Sequence, residues 1–201
     1  MTHTEYVHIM LGWGMAITGM VWLLADTERG RGLRWVWPVL VFLIGFFLFI
    51  PTETQERSYT QVGAWDTFLS VFPNSLAVWL ETVQKHHVMQ HKTAGVCAML
   101  AGGVEFGRVT GALKAARWAW FLPLLSIGAG LAIGIHGGTQ QHLPRVTEQL
   151  HHWIMGGALV VGGGLLALSK AGRLKSEMWP RVLPGLMVVA GVDFLLFYRL
   201  P

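Results

Sequence analysis

Apolar residues gather into six runs of 16 to 20 positions, and most of the charged residues fall in the segments between the runs. At 1.5 Å per residue, a helix of this length spans about 24–30 Å, roughly the hydrocarbon thickness of a bilayer. The pattern therefore predicts six transmembrane helices, over residues 6–24, 35–50, 87–106, 118–136, 151–168 and 182–200.

The six predicted spans nearly fill the chain, which indicates one all-α membrane domain over residues 1–201. Four of the five connections are short and require antiparallel neighbours. The fifth, residues 51–86, contains two aromatic-rich amphipathic stretches and predicts an interfacial segment or cap over one end of the bundle. The first span has no basic stretch before it and no A-x-A site after it, so we expect a permanent helix rather than a cleaved signal. No internal repeat is evident.

Composition supports the membrane interpretation. The chain is 53% hydrophobic and only 13% charged, with a mean hydropathy of +0.47, whereas a soluble domain carries about a quarter charged residues. The basic residues lie mostly in short loops, where they set topology, so the pI near 9.6 gives no reason to expect a nucleic-acid partner. The single cysteine, Cys97, excludes an intrachain disulfide or a thiolate cluster and is interpreted as a small packed residue.

The distribution of Lys and Arg predicts the orientation. Ten of the fifteen lie in the loops after the first, third and fifth spans, and five lie on the other side. The side richer in Lys and Arg faces the cytoplasm in membrane proteins. Both termini are therefore predicted to face outward, toward the periplasm of a Gram-negative bacterium.

All nine histidines fall on the predicted outward side. His87 and His91 are four residues apart and share one helical face, which suits joint binding of a metal ion. Imidazole suits copper, zinc and iron, and a thioether adds a preference for reduced copper. The candidate metal ligands on this side are His87, His91, His136, His152 and Met155.

A haem is the alternative cofactor. His91 and His152, on two spans that run in the same direction, would supply its two axial ligands. The glycines of the fourth and fifth spans would either let the helices approach closely or leave a slot for the macrocycle.

Two acidic residues lie at membrane depth. Asp193, inside the sixth span, is predicted to accept a hydrogen bond from a ligand histidine, with a structural pairing or a proton relay as alternatives. Glu105, at the inward end of the third span, is predicted to form a boundary ion pair with Arg108. We find no phosphate loop, nucleophile elbow or H-E-x-x-H motif, so no catalytic residue is predicted and an enzymatic role is not indicated.

Three stretches over roughly residues 35–200 resemble bacterial copper-resistance D-type membrane proteins. The first stretch opens and closes the third span, the second surrounds the loop between the fourth and fifth spans, and the third covers the last span. Glycines stand in that loop where a denser histidine pattern would look more like a metal carrier. The matching residues are Met89-Gln90-His91-Lys92 with Glu105-Phe106-Gly107-Arg108, Ile135-His136-Gly137-Gly138 with Glu148-Gln149-Leu150-His151-His152, and Pro184-Gly185-Leu186 with Phe197-Tyr198-Arg199.

The resemblance implies a bacterial cytoplasmic-membrane protein that handles copper at its outer face, with His91, His136 and His152 as ligands. Three functions therefore stay open at this point. The first is copper binding for handling or delivery, and the second is a b-type haem protein that passes electrons between quinol and an external acceptor. The third is a cofactor-free accessory subunit of a larger membrane complex, with the aromatic segment from Trp65 to Trp79 as its docking surface. A periplasmic metal or electron carrier is a partner in the first two.

Overall fold

The computed structural model describes residues 3–50, 86–139, 146–176 and 178–199, and every long element in this part is a helix. Short 3-10 turns at Arg31–Leu33 and Ala116–Trp120 lead into the second and fourth helices. The predicted 51–86 cap lies outside the described residues, apart from His86, which begins a helix. The helices are α1 His3–Ala25, α2 Val36–Phe49, α3 His86–Val109, α4 Phe121–Thr139, α5 Val146–Lys170 and α6 Trp179–Arg199.

Five of these helices are long and apolar enough to cross a membrane, namely α1, α2, α4, α5 and α6. The predicted third span, residues 87–106, is helical as expected, but α3 is not among the five. Lys92, Glu105 and Arg108 lower its hydropathy. Large apolar side chains are exposed along the helices, Leu43, Leu131 and Val189 among them, as suits a surface that contacts lipid.

The helices form a ring in chain order. Each helix packs extensively against its neighbours in the sequence, and α6 closes the ring by packing on α1. Paired neighbours are antiparallel: Gly12 of α1 faces Gly191 of α6, whereas the later residue Gly19 faces the earlier residue Pro184. We call the end that contains the starts of α1, α3 and α5 the histidine end, and the opposite end, with Arg108 and Arg181, the arginine end.

The ring contains a threefold repeat that the sequence analysis missed. Each even-numbered helix carries proline and glycine seven positions apart, and each odd-numbered helix carries histidine, then glycine four and eleven positions later. None of the other six histidines is followed by glycine at both positions. The repeats are Pro38–Gly45, Pro123–Gly130 and Pro184–Gly191 on the even helices, and His8–Gly12–Gly19, His91–Gly95–Gly102 and His152–Gly156–Gly163 on the odd helices.

The repeated residues make equivalent contacts in three helix pairs, α2–α3, α4–α5 and α6–α1. A Cβ on the first glycine of the odd helix would lie 2.8 to 2.9 Å from the carbonyl oxygen of Gly45 or Gly191 in two pairs, and 2.6 Å from that of Gly130 in the third. A Cβ on the second glycine would lie 2.5 to 2.8 Å from the carbonyl oxygen of the partner proline. The glycines therefore allow backbone contact between helices, which small residues permit in membrane bundles.

An apolar cavity of about 80 Å³ lies on the axis of the ring, and residues from all six helices line it. One buried cluster, with Leu11, Met155 and Phe194, packs near the histidine end. A second cluster, with Trp37 and Leu183, packs near the arginine end, where the Trp22 and Trp37 rings stack with centroids 3.9 Å apart. The cavity, which we call the lumen, thus lies between the two ends of the bundle, and no charged side chain lines it.

Candidate functional site

Three histidines meet at the histidine end of the ring. His8, His91 and His152 occupy the equivalent position of the repeat near the starts of α1, α3 and α5, and they are 6%, 9% and 2% exposed. The ring centroids of His8 and His152 are 5.3 Å apart, and those of His91 and His152 are 6.1 Å apart. We call these three residues the histidine triad; His152 is its central member.

Phe194 of α6 packs against the triad and has no exposed surface. Its ring stacks on His8 with a centroid distance of 5.4 Å and meets His152 edge-on at 6.3 Å. An aromatic ring in this position excludes water and restricts the imidazoles to a few orientations. The triad is therefore a buried group of nitrogens inside an apolar shell.

The predicted metal ligands are brought together in part. His91 and His152 lie in the triad, and Met155 is 3% exposed and lies one turn further along α5 from His152. His87 lies at the start of α3 and His136 near the end of α4, both at the histidine end. The side chains of these two residues lie outside the described part of the structure.

His8 is the site residue that sequence reasoning missed. It opens the first predicted span, but it is not among the predicted ligands. The spacing of histidine and two glycines is the signal that identifies it, since the same spacing marks His91 and His152.

Within the described residues, no three His, Cys, Asp or Glu side chains are already arranged to hold a metal ion. Two imidazoles that share an ion have ring centroids roughly 6 Å apart at most, since each nitrogen–metal bond is about 2.0–2.1 Å. His8 and His91 both lie near this distance from His152. The spacing of these two pairs therefore suits a shared ion, for which the imidazole nitrogens would have to turn toward one point.

A haem fits these residues less well. A macrocycle between His91 and His152 would have to share the space with His8 and Phe194, and the adjoining cavity holds only about 80 Å³. The glycine slot expected between α4 and α5 is filled, because Gly130 and Gly156 meet backbone to backbone. The glycines of this interface serve helix packing.

Asp193 contacts a histidine outside the triad. Its Oδ2 lies 2.5 Å from Nδ1 of His151, where the ring N–H donates to the carboxylate, and the two side chains are 28% and 12% exposed. The His151 ring also packs on Phe197, with centroids 3.8 Å apart. The hydrogen bond therefore ties α5 to α6 beside the triad, and it orients the Nε2 of His151 away from Asp193.

We expect the Asp193→Asn substitution to lower the free energy of unfolding by about 1–2 kcal/mol, because it weakens a charge-assisted and largely shielded hydrogen bond. Asp26→Asn is the matched control: Asp26, directly after α1, accepts a 2.6 Å hydrogen bond from Arg181 of α6, but both side chains are about half exposed. Its loss should cost less than about 1 kcal/mol. Unfolding in detergent measures both, and equal losses would contradict the role given to burial.

Charged groups at the two ends are held by specific partners. At the histidine end, Lys92 is buried, and its Nζ donates to the carbonyl oxygen of Leu48 at 3.0 Å, near the negative end of the α2 dipole. At the arginine end, the predicted ion pair is confirmed: Nη1 of Arg108 lies 2.6 and 2.8 Å from the two carboxylate oxygens of Glu105. Neither Lys92 nor the Glu105–Arg108 pair by itself indicates a ligand-binding site.

No protein-family model, curated protein or solved structure matches the chain, so the comparisons with known proteins assign no family.

Proposed function

We propose that this chain is a multi-pass protein of a bacterial cytoplasmic membrane, and that it binds copper through the histidine triad for copper handling or delivery. One observation carries the proposal. The same residue type occupies the same position in three equivalent helix pairs, and all three side chains are buried near the axis. Identical donors arranged around an axis suit a single ion on that axis.

The chemistry of the donor atoms narrows the choice of metal ion. Neutral imidazole binds copper, zinc, iron and nickel, and three histidines suit zinc as well as copper. Met155 adds a thioether one turn below the central His152, and a soft sulfur ligand favours copper. A buried, apolar surround also suits an ion of low charge. The resemblance to copper-resistance D-type proteins agrees with this choice.

The orientation follows from the charges and from the packing of α3. We propose that α3 crosses the membrane as the sixth span, because it packs between α2 and α4 and its charged side chains are bound near its two ends. The histidine end then faces outward with both termini, and the arginine end faces the cytoplasm. The triad then lies near the end of the bundle that faces a periplasmic metal carrier.

The direct test combines metal analysis with optical spectroscopy. Detergent-purified protein from cells supplied with iron and copper should bind copper and give a flat dithionite-reduced minus oxidised spectrum. The His8→Ala/His91→Ala/His152→Ala variant should lose copper bound with nitrogen ligands. The control variant, with alanine at His3, His142 and His151, should keep it, since none of these has the glycine spacing of the triad.

Two results would overturn the proposal. A sharp α band of b-type haem that disappears in the triad variant would assign His91 and His152 as axial ligands. If folded, monodisperse wild-type protein contains neither copper nor haem, the remaining interpretation is an accessory subunit without a cofactor.

A further inference from the structure

We infer that the lumen below the histidine triad holds a second copper site, built from sulfur and specific for Cu(I). This inference rests on the proposed copper function and specifies the oxidation state of the ion. The ligands are sulfur atoms that line the central cavity, contributed by Met15 of α1, Cys97 of α3 and Met187 of α6. The cavity is also lined by Met155 of α5, the thioether nearest the triad.

Three of these residues form a layer at one depth. Cys97 lies six residues beyond His91, and Met15 lies seven residues beyond His8, which places both about 9–11 Å below the triad. Met187 precedes Gly191 by one turn on the antiparallel helix α6, and Gly191 faces Gly12, so Met187 lies level with Met15. Met155 lies between this layer and the triad, one turn below His152. The sulfur atoms thus extend from the triad toward the middle of the membrane.

Sulfur is concentrated around this cavity. Of the nineteen residues that line it, four carry sulfur, whereas the whole chain of 201 residues has nine Met and one Cys. Methionine commonly fills irregular gaps in a core, but here the side chains surround a cavity of about 80 Å³ that they leave open. The sulfur atoms therefore border an open apolar space.

The rest of the lining suits Cu(I) and no harder ion. Apart from Ser126 and the indole of Trp22, the lining side chains contain no nitrogen or oxygen. Zinc and other divalent ions would lose their hydration without gaining imidazole or carboxylate ligands there, whereas thioether and thiol ligands select Cu(I). Copper that arrives reduced moves from the triad to the sulfur layer without any electron transfer.

The test is an anaerobic titration of the purified full-length protein with Cu(I), in competition with a colorimetric Cu(I) chelator that reports the number of bound equivalents. X-ray absorption spectra recorded after each added equivalent identify the ligands as nitrogen or sulfur. Wild-type protein should bind two equivalents, one with nitrogen ligands and one with sulfur ligands. The Met15→Leu/Met187→Leu variant should lose the sulfur-bound equivalent and keep the nitrogen-bound one. Leucine conserves volume well enough to keep the fold.

Met10→Leu/Met20→Leu is the matched control, since both methionines lie on the exposed face of α1, and it should bind two equivalents. A single nitrogen-bound equivalent in wild-type protein would overturn the sulfur site and leave the proposed function intact. An unchanged sulfur signal in the Met15/Met187 variant would also overturn it. No bound Cu(I) at all in wild-type protein would be the failure of the proposed function itself.

Discussion

Replacing His152 with glutamine is expected to weaken copper binding by more than about 100-fold, which exceeds the 10–100-fold that loss of an outer-shell partner costs. His152 is the triad member that contacts both others, with centroids 5.3 Å from His8 and 6.1 Å from His91. Both of these ring contacts are lost when His152 is replaced. His8→Gln and His91→Gln each leave one pair and should cause smaller losses.

His151→Gln is the matched control, because it changes the neighbouring residue of the same helix. His151 binds Asp193 and packs on Phe197, so its loss should affect stability while copper affinity stays within about threefold of wild type. Isothermal titration or chelator competition measures the affinities, and size-exclusion chromatography checks the fold. Equal losses in the two variants would show that the site does not depend on the triad.

Replacing Gly156 with alanine is expected to destabilise the ring by about 1–3 kcal/mol, since the added methyl group would overpack a tight interface. The new Cβ would lie 2.6 Å from the carbonyl oxygen of Gly130 and 2.8 Å from the backbone nitrogen of Gly134. Both are backbone atoms, so α4 and α5 must separate to accommodate it. This movement would also displace His152, one turn away, and copper affinity should fall together with stability.

Gly157→Ala is the control at the next position. A Cβ there meets no atom within 4 Å, and the substitution should be neutral or stabilise the helix by up to about 1 kcal/mol. Unfolding by denaturant in detergent micelles measures both variants. The repeat further requires that Gly12→Ala and Gly95→Ala behave like Gly156→Ala. Tolerance of alanine at Gly156 would contradict the packing described for the repeat.

The helices and the all-α class were predictable because each helix depends on the local composition of one segment. Runs of apolar residues require helices in a membrane, since backbone polar groups there must bond within the segment. The five membrane-length helices and the all-α class followed from this rule. The placement of His91, His152 and Met155 near one end also followed, because helix ends alternate between the two sides of the bundle.

The composition of the site was less predictable. His8 carries no local sign of a ligand, and only its position relative to Gly12 and Gly19 relates it to His91 and His152. The repeat itself is spread over six helices and interrupted by connections of unequal length, so the sequence alone did not reveal it. Asp193 was expected beside a ligand histidine, but which histidine it meets depends on how α6 is rotated against α5, and the structure pairs it with His151.

Local sequence is sufficient to specify apolar helices suited to a bilayer, with histidines toward one end of the bundle and most positive charges toward the other. Hydropathy and charge act residue by residue, so these properties are legible before any packing is known. The closure of the helices into a ring of three equivalent pairs, with His8, His91 and His152 in contact inside it, is visible only in the folded chain. The ring depends on backbone contact at glycines far apart in the chain, such as Gly45 with Gly95 and Gly12 with Gly191. Contact between such distant segments exists only once the helices have packed.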